Sequence, residues 1–170
     1  MAGTETGELF ILDNYELKQT IDNAFYTGSY GQGPQDDKGK HTPAFNVSLI
    51  KPHSKGFYIA SDNGYMALWV RSEVNNSTSG KFAFDFIRKW QPGASKNIRI
   101  LSLDVSPSED FIAISLENNN IGIVQTKSIG LNEDLHKEID FDLICKGFHS
   151  GEISSIDIAV QRPLLITCSK

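Results

Sequence analysis

Three carboxylates, Asp104, Glu109 and Asp157, are the residues of this chain best suited to acid–base chemistry. Grouped around a common channel, they would move protons for a hydrolase, one acid held neutral beside another held charged. The other reactive types are four histidines, His41, His53, His136 and His149, and two cysteines, Cys145 and Cys168. The histidines form no HxxH or HExxH pair, and a zinc site needs about four ligands at tight spacing. Both cysteines lie in apolar runs, which reads as small buried hydrophobes rather than nucleophiles or a disulfide framework. Gly28, Gly31 and Gly33 before Pro34 have the composition of a phosphate cradle, but no GxxxxGK followed by Ser or Thr is present and no apolar helix follows. There is no GxSxG elbow. Asn46, Asn75 and Asn76 begin glycosylation sequons, which read as chance matches without a signal peptide. The expectation is therefore no catalytic residue, no metal, no cofactor and no small-molecule substrate.

Composition narrows the classes further. The 170 residues carry 16 Lys and Arg against 21 Asp and Glu, a formal charge of −5. That balance argues against a nucleic-acid binder that works by neutralising phosphates. No stretch approaches the roughly 18 apolar residues that span a bilayer. Met1 to Gly7 has neither a basic head nor an apolar run, so a secretory signal is not expected. The expectation is an intracellular, non-membrane protein.

The elements that must position any site are short alternating apolar runs between turn residues. Strands are expected at Glu8–Asp13 and Tyr15–Ile21, then a long polar loop over Asp22–Pro43. A first set of four strands follows: Ala44–Ile50, Gly56–Ser61, Tyr65–Arg71 and Lys81–Trp90. Lys51–Lys55 is read as a turn, and Asp62-Asn63-Gly64 as a tight hairpin turn. In Lys81–Trp90, Phe82, Phe84, Phe86 and Arg88 fall on one face by period-2 alternation. A second set runs Ile98–Val105, Phe111–Leu116, Ile121–Thr126 and Phe141–Phe148. Between its last two strands lies a charged loop, Lys127–Asp140, with a short helical candidate at Asn132–Ile139. A third set begins with Ile153–Val160 and Leu164–Ser169.

The sets repeat. Residues Ser102–Ser115 lie over Ser155–Cys168 without a gap, at an offset of 53 residues, and Asp104 falls on Asp157. Asp104 and Asp157 are then also explained as residues that a repeated blade edge requires. Asn46–Ser61 fits the same frame with two extra turn residues. Four antiparallel strands repeated in series build a β-propeller, in which each blade covers its neighbour's apolar face. The fold expected is all-β, a partial propeller of about three blades. It comprises the last two strands of a blade at 8–21, full blades at 44–90 and 98–148, and the first two strands of a further blade at 153–170. The chain so read is a fragment that cannot close a ring and leaves open strand edges, so alone it is expected to aggregate or stay loosely folded.

Several residues carry a closer likeness. Phe148-His149-Ser150-Gly151 resembles the glycine-histidine start of a WD40 blade. Asp62 stands at the turn position, and Trp69-Val70 where that family has Trp-Asp. The resemblance implies that His149, a Ser or Thr, the turn Asp and the Trp brace a blade through buried hydrogen bonds, of which only fragments can form here. Asp104 and Asp157 complete the set of structural positions. The Ser106–Asp110 turn, Phe148–Gly151, Asp157–Ser169 and Asp62–Gly64 together are similar to the propeller region of the cilia- and flagella-associated protein 57 family of axonemal WD-repeat proteins.

That resemblance implies a non-enzymatic scaffold in the cytoplasm and the axoneme of the cilium or flagellum. Its partners would be axonemal proteins: inner dynein arm subunits, other cilia-associated proteins and doublet microtubules. The alternative is a WD40 adaptor of a non-ciliary complex, in transport or ubiquitin transfer. For partner contacts the polar loops Asp22–Pro43 and Ser72–Gly80 are the first candidates.

Overall fold

A computed structural model of the chain describes residues 1–25, 45–72, 84–92, 98–129, 139–147, 149–162 and 164–170. The loops at 26–43 and 73–80, the helical candidate over 132–138, Phe82 and Phe148 therefore lie outside the described residues.

Four antiparallel sheets follow one another along the chain. The first orders β1 (Ala2–Gly3), β2 (Leu9–Asp13) and β3 (Glu16–Ile21) side by side. The second orders β4 (Leu49–His53), β5 (Gly56–Ala60), β6 (Met66–Arg71) and β7 (Phe84–Trp90), each strand pairing with the next. The third does the same with β8 (Ile100–Val105), β9 (Phe111–Leu116), β10 (Ile121–Gln125) and β11 (Asp142–Cys145). The fourth holds β12 (Ile153–Ile158) and β13 (Leu165–Ser169). The stack is that of propeller blades, with the first strands β4, β8 and β12 side by side along it.

Burial shows why the sheets stack. Every residue of β5 is buried, and so is all of β9 except Phe111, because each strand is covered on both faces by neighbouring sheets. One apolar cluster around Leu9, Phe25, Phe57 and Trp69 fills the first seam. A second, around Met66, Trp90, Ile100 and Ile114, fills the next. A third, of Ala113, Ile121, Ile153 and Ile156, fills the last. On β2, β3 and β13 apolar side chains stand exposed, Leu12, Leu17 and Ile166 among them.

Five details depart from the sequence reading. The first sheet has three strands, because Ala2–Gly3 pairs with Leu9 and Phe10. Strand β4 starts at Leu49 and continues through Pro52 to His53, shortening the turn to Ser54-Lys55. Pro52 is tolerated because β4 is an edge strand and needs no amide donor on its outer side. Arg88 leaves the face of Phe84 and Phe86: a bulge opposite Leu68 and Trp69 pairs Arg88 with Leu68 and Phe86 with Trp69. The segment expected to start a charged loop forms a 3-10 turn over Thr126–Ile129, which buries Ile129. Finally, Cys168 on β13 is exposed among the described residues rather than buried.

Candidate functional site

The side chains that sequence singled out sit at the seams between sheets. Register explains their equivalence. Asp104 pairs with Ala113 and Asp157 with Ile166, and both ladders carry a bulge at the same place, between Ile100 and Ser102 and between Ile153 and Ser155. Each Asp accepts the amide of its own successor at 2.9 Å, Val105 in one case and Ile158 in the other.

Asp104 does more. Its second oxygen accepts the Ile158 amide at 2.8 Å, and the Lys51 ammonium closes on the first. Two residues earlier, the Ser102 hydroxyl accepts the Ile156 amide at 3.2 Å. Side chains two apart on β8 thus satisfy two amides of β12, which has no strand partner on that edge. Asp104 is 3% exposed and ties β4, β8 and β12 together. Asp157 stands exposed and, among the described residues, keeps its local bond alone.

The remaining expected positions are placed separately. Asp62 braces its turn by a reciprocal pair with Asn46, whose amide donates to the carboxylate at 2.6 Å while Asp62 N donates back at 3.0 Å. Gly64 follows with φ of 75°, the conformation for which the turn signal called. The other Asp62 oxygen meets Arg99 at 2.9 Å, in the segment leading to the next sheet. Trp69 stacks on Phe57, takes Phe86 edge-on, and donates its indole N–H to the Ala24 carbonyl at 2.9 Å. His149 Nε2 lies 2.7 Å from the Thr167 hydroxyl. Asp62 and Trp69 therefore belong to the second sheet and the His–Thr contact to the fourth, so the three are not joined into one chain.

Sequence reasoning missed a second tie, at the rim formed by the turns after β4 and β8. Glu109 accepts the Ser54 amide at 2.6 Å and the Ser54 hydroxyl at 2.5 Å. These bonds hold its carboxyl below the usual carboxylate range. Glu109 takes a φ of 60°, uncommon for a non-glycine residue, to aim its side chain there. Beneath it the His53 side chain, 9% exposed, leans on the Tyr58 ring at 4.8 Å, with Nδ1 4.0 Å from Glu109 and accepting the Lys55 amide at 3.3 Å. Burial, with Glu109 beside it, pushes the Tyr58 hydroxyl up to about 12.

Burial outweighs the attraction of Glu109 and lowers the His53 pKa, with Lys55 adding in the same direction. The folded state therefore keeps the ring neutral. The stability this contributes is complete above the ordinary imidazole value of about 6.5 and is lost as pH falls through the depressed folded value. The Glu109 contribution is lost later, below the ordinary carboxylate value of about 4.3. Urea unfolding followed between pH 7 and pH 4 should show the upper loss in the wild type and not in His53→Phe. An unchanged profile in that variant would refute the assignment.

Among the described residues no three His, Cys, Asp or Glu side chains gather to hold a metal ion, and no helix is long and apolar enough to cross a membrane.

No family model matches the chain. It is 30% identical to cilia- and flagella-associated protein 57 C of Tetrahymena thermophila over 120 residues, 69% of this chain and 9% of that protein. The mouse protein of that name is 26% identical over 128 residues, 72% of this chain and 10% of its own length. Cilia- and flagella-associated protein 57 A of Tetrahymena thermophila is 23% identical over 170 residues, 98% of this chain and 11% of its own. The chain thus spans about a tenth of the length of these relatives. Among solved structures, the Cps50 (Swd1) β-propeller domain of Myceliophteria thermophila superposes with a TM-score of 0.62 over 98% of this chain and 45% of that one, at 13% identity. That likeness shows the fold: the stacked sheets are propeller blades.

Proposed function

Taking the chain as a WD-repeat protein of the cilia- and flagella-associated protein 57 type, we propose that it is a non-catalytic scaffold segment of the ciliary or flagellar axoneme. In this reading it holds inner dynein arm subunits and other cilia-associated proteins on doublet microtubules, and so supports beating. The observation that carries the reading is the similarity to three curated relatives of one name, over a segment built as a continuous stack of blades.

The seams support the same reading. The Asp104 oxygens are committed to two amides and an ammonium, and the Glu109 oxygens to Ser54. Carboxylates engaged in this way hold blades together and suit a rigid platform for partners.

The test is placement in the cell. The full-length protein, tagged in a ciliated cell, is expected to lie along the axoneme and to stay there after detergent removes the membrane. Its loss is expected to weaken retention of inner dynein arms. A tag confined to the cell body would overturn the axonemal reading. Full retention of the arms in cells lacking the protein would overturn the partner assignment alone.

A further inference from the structure

The last two seams share a backbone plan and end differently at the rim. Glu109 and Arg162 occupy the same position of the repeat, 53 residues apart. In the earlier seam Glu109 reaches the preceding turn and closes the rim on Ser54. In the later seam that position carries a guanidinium; the residues of the preceding turn that line the cleft, Ser106, Pro107 and Ser108, carry no charge, while Glu109 of that turn is bound to Ser54 and Asp110 forms no ion pair with Arg162 among the described residues. Arg162 has no ion-pair partner among the described residues.

The rim there stays open as a cleft of about 420 Å³. Ile123, Ile158 and Leu165 line it from the apolar cluster of the seam, with Phe111 from the earlier blade and Val160 and Leu164 from the later one. Val160 is 79% exposed and Leu164 is 53% exposed.

We infer that this cleft binds an extended segment of a partner protein that carries an Asp or Glu beside apolar residues. The repeat supplies the logic: a charged side chain at this position closes one seam on a complementary group, and the reversed charge in the next seam lacks its complement. A carboxylate meets the planar fork of an arginine with two parallel hydrogen bonds. Apolar side chains on either side of it would cover Val160 and Leu164 and fill the floor, which is within the size range of ordinary ligand sites. A free small anion would satisfy Arg162 and leave that floor wet.

The inference rests on the scaffold reading only in taking a protein as the ligand. Immobilised decapeptides with randomised apolar positions and a fixed Asp, Asn or Lys are probed with the full-length protein. The expected result is selection of the Asp series, about tenfold over the Asn series. Arg162→Glu should transfer the preference to the Lys series, and Val160→Asp should weaken binding of every series. Both positions are on the surface, so the variants keep the fold. Selection that ignores residue 162, or no selection at all, would overturn the inference. Axonemal placement is read in cells and fails or holds independently of the array.

Discussion

Replacing Asp104 by alanine is expected to lower the unfolding free energy by about 3 kcal/mol, whereas Asp157→Ala should cost less than about 0.5 kcal/mol. The two residues share a repeat position, a register and a local hydrogen bond, so only their surroundings differ. Removing the Asp104 carboxylate leaves the Lys51 ammonium without its counter-charge at the seam and takes the cross-blade acceptor from the Ile158 amide. The Lys51 side chain is 38% exposed, and water softens its loss, which keeps the figure at the low end for a broken ion pair. Asp104→Asn keeps an oxygen for Ile158 and loses the charge, so about half the penalty should remain. Urea midpoints of the three variants decide the matter. Equal costs at 104 and 157 would show that the local bond, not the tie between blades, is what matters.

That contrast also marks how far the sequence could be read. The ladders were legible because alternation of period two and the turn residues at Asp62-Asn63-Gly64 and Ser106–Asp110 fix strand limits to within a few residues. The offset of 53 residues brings Asp104 onto Asp157, and the structure gives them matching register and a matching bulge. Their different burial was not legible, because burial depends on what lies across the seam. The same holds for Glu109, Ser54 and Lys51, whose contacts join blades through the stacking of sheets rather than through spacing along the chain. Ala2–Gly3 escaped notice because two small residues carry no alternation. Yet small size is what the place requires, since a Cβ on Gly3 would come within 2.6 Å of the Val47 side chain. Arg88 was assigned to the wrong face because a single bulge reverses the parity of every residue beyond it. Cys168 was read as a small buried hydrophobe from its apolar run alone, whereas it is exposed among the described residues.

Trp69 tests the first seam as Asp104 tests the later ones. Trp69→Ala is expected to cost about 4 kcal/mol, because the indole fills the space between Phe57, Phe86 and the turn at Ala24. Trp69→Phe keeps most of that packing and leaves the Ala24 carbonyl without its donor, for a cost of about 1.5 kcal/mol. The difference between the two variants separates packing from hydrogen bonding. The resemblance to WD40 blades implies a Trp that braces its own blade through a polar chain. Here the indole donates to the backbone of the turn that follows β3, the last strand of the preceding sheet. Loss of Trp69 should therefore loosen the first sheet from the second before it unfolds either. Amide exchange would show this as faster exchange of Leu9, Ile11 and Ala24, with protection at Ile112 and Ile114 retained. Equal loss of protection in the first and third sheets would mean that Trp69 stabilises the stack as a whole, and the tie to Ala24 would have no special place in it.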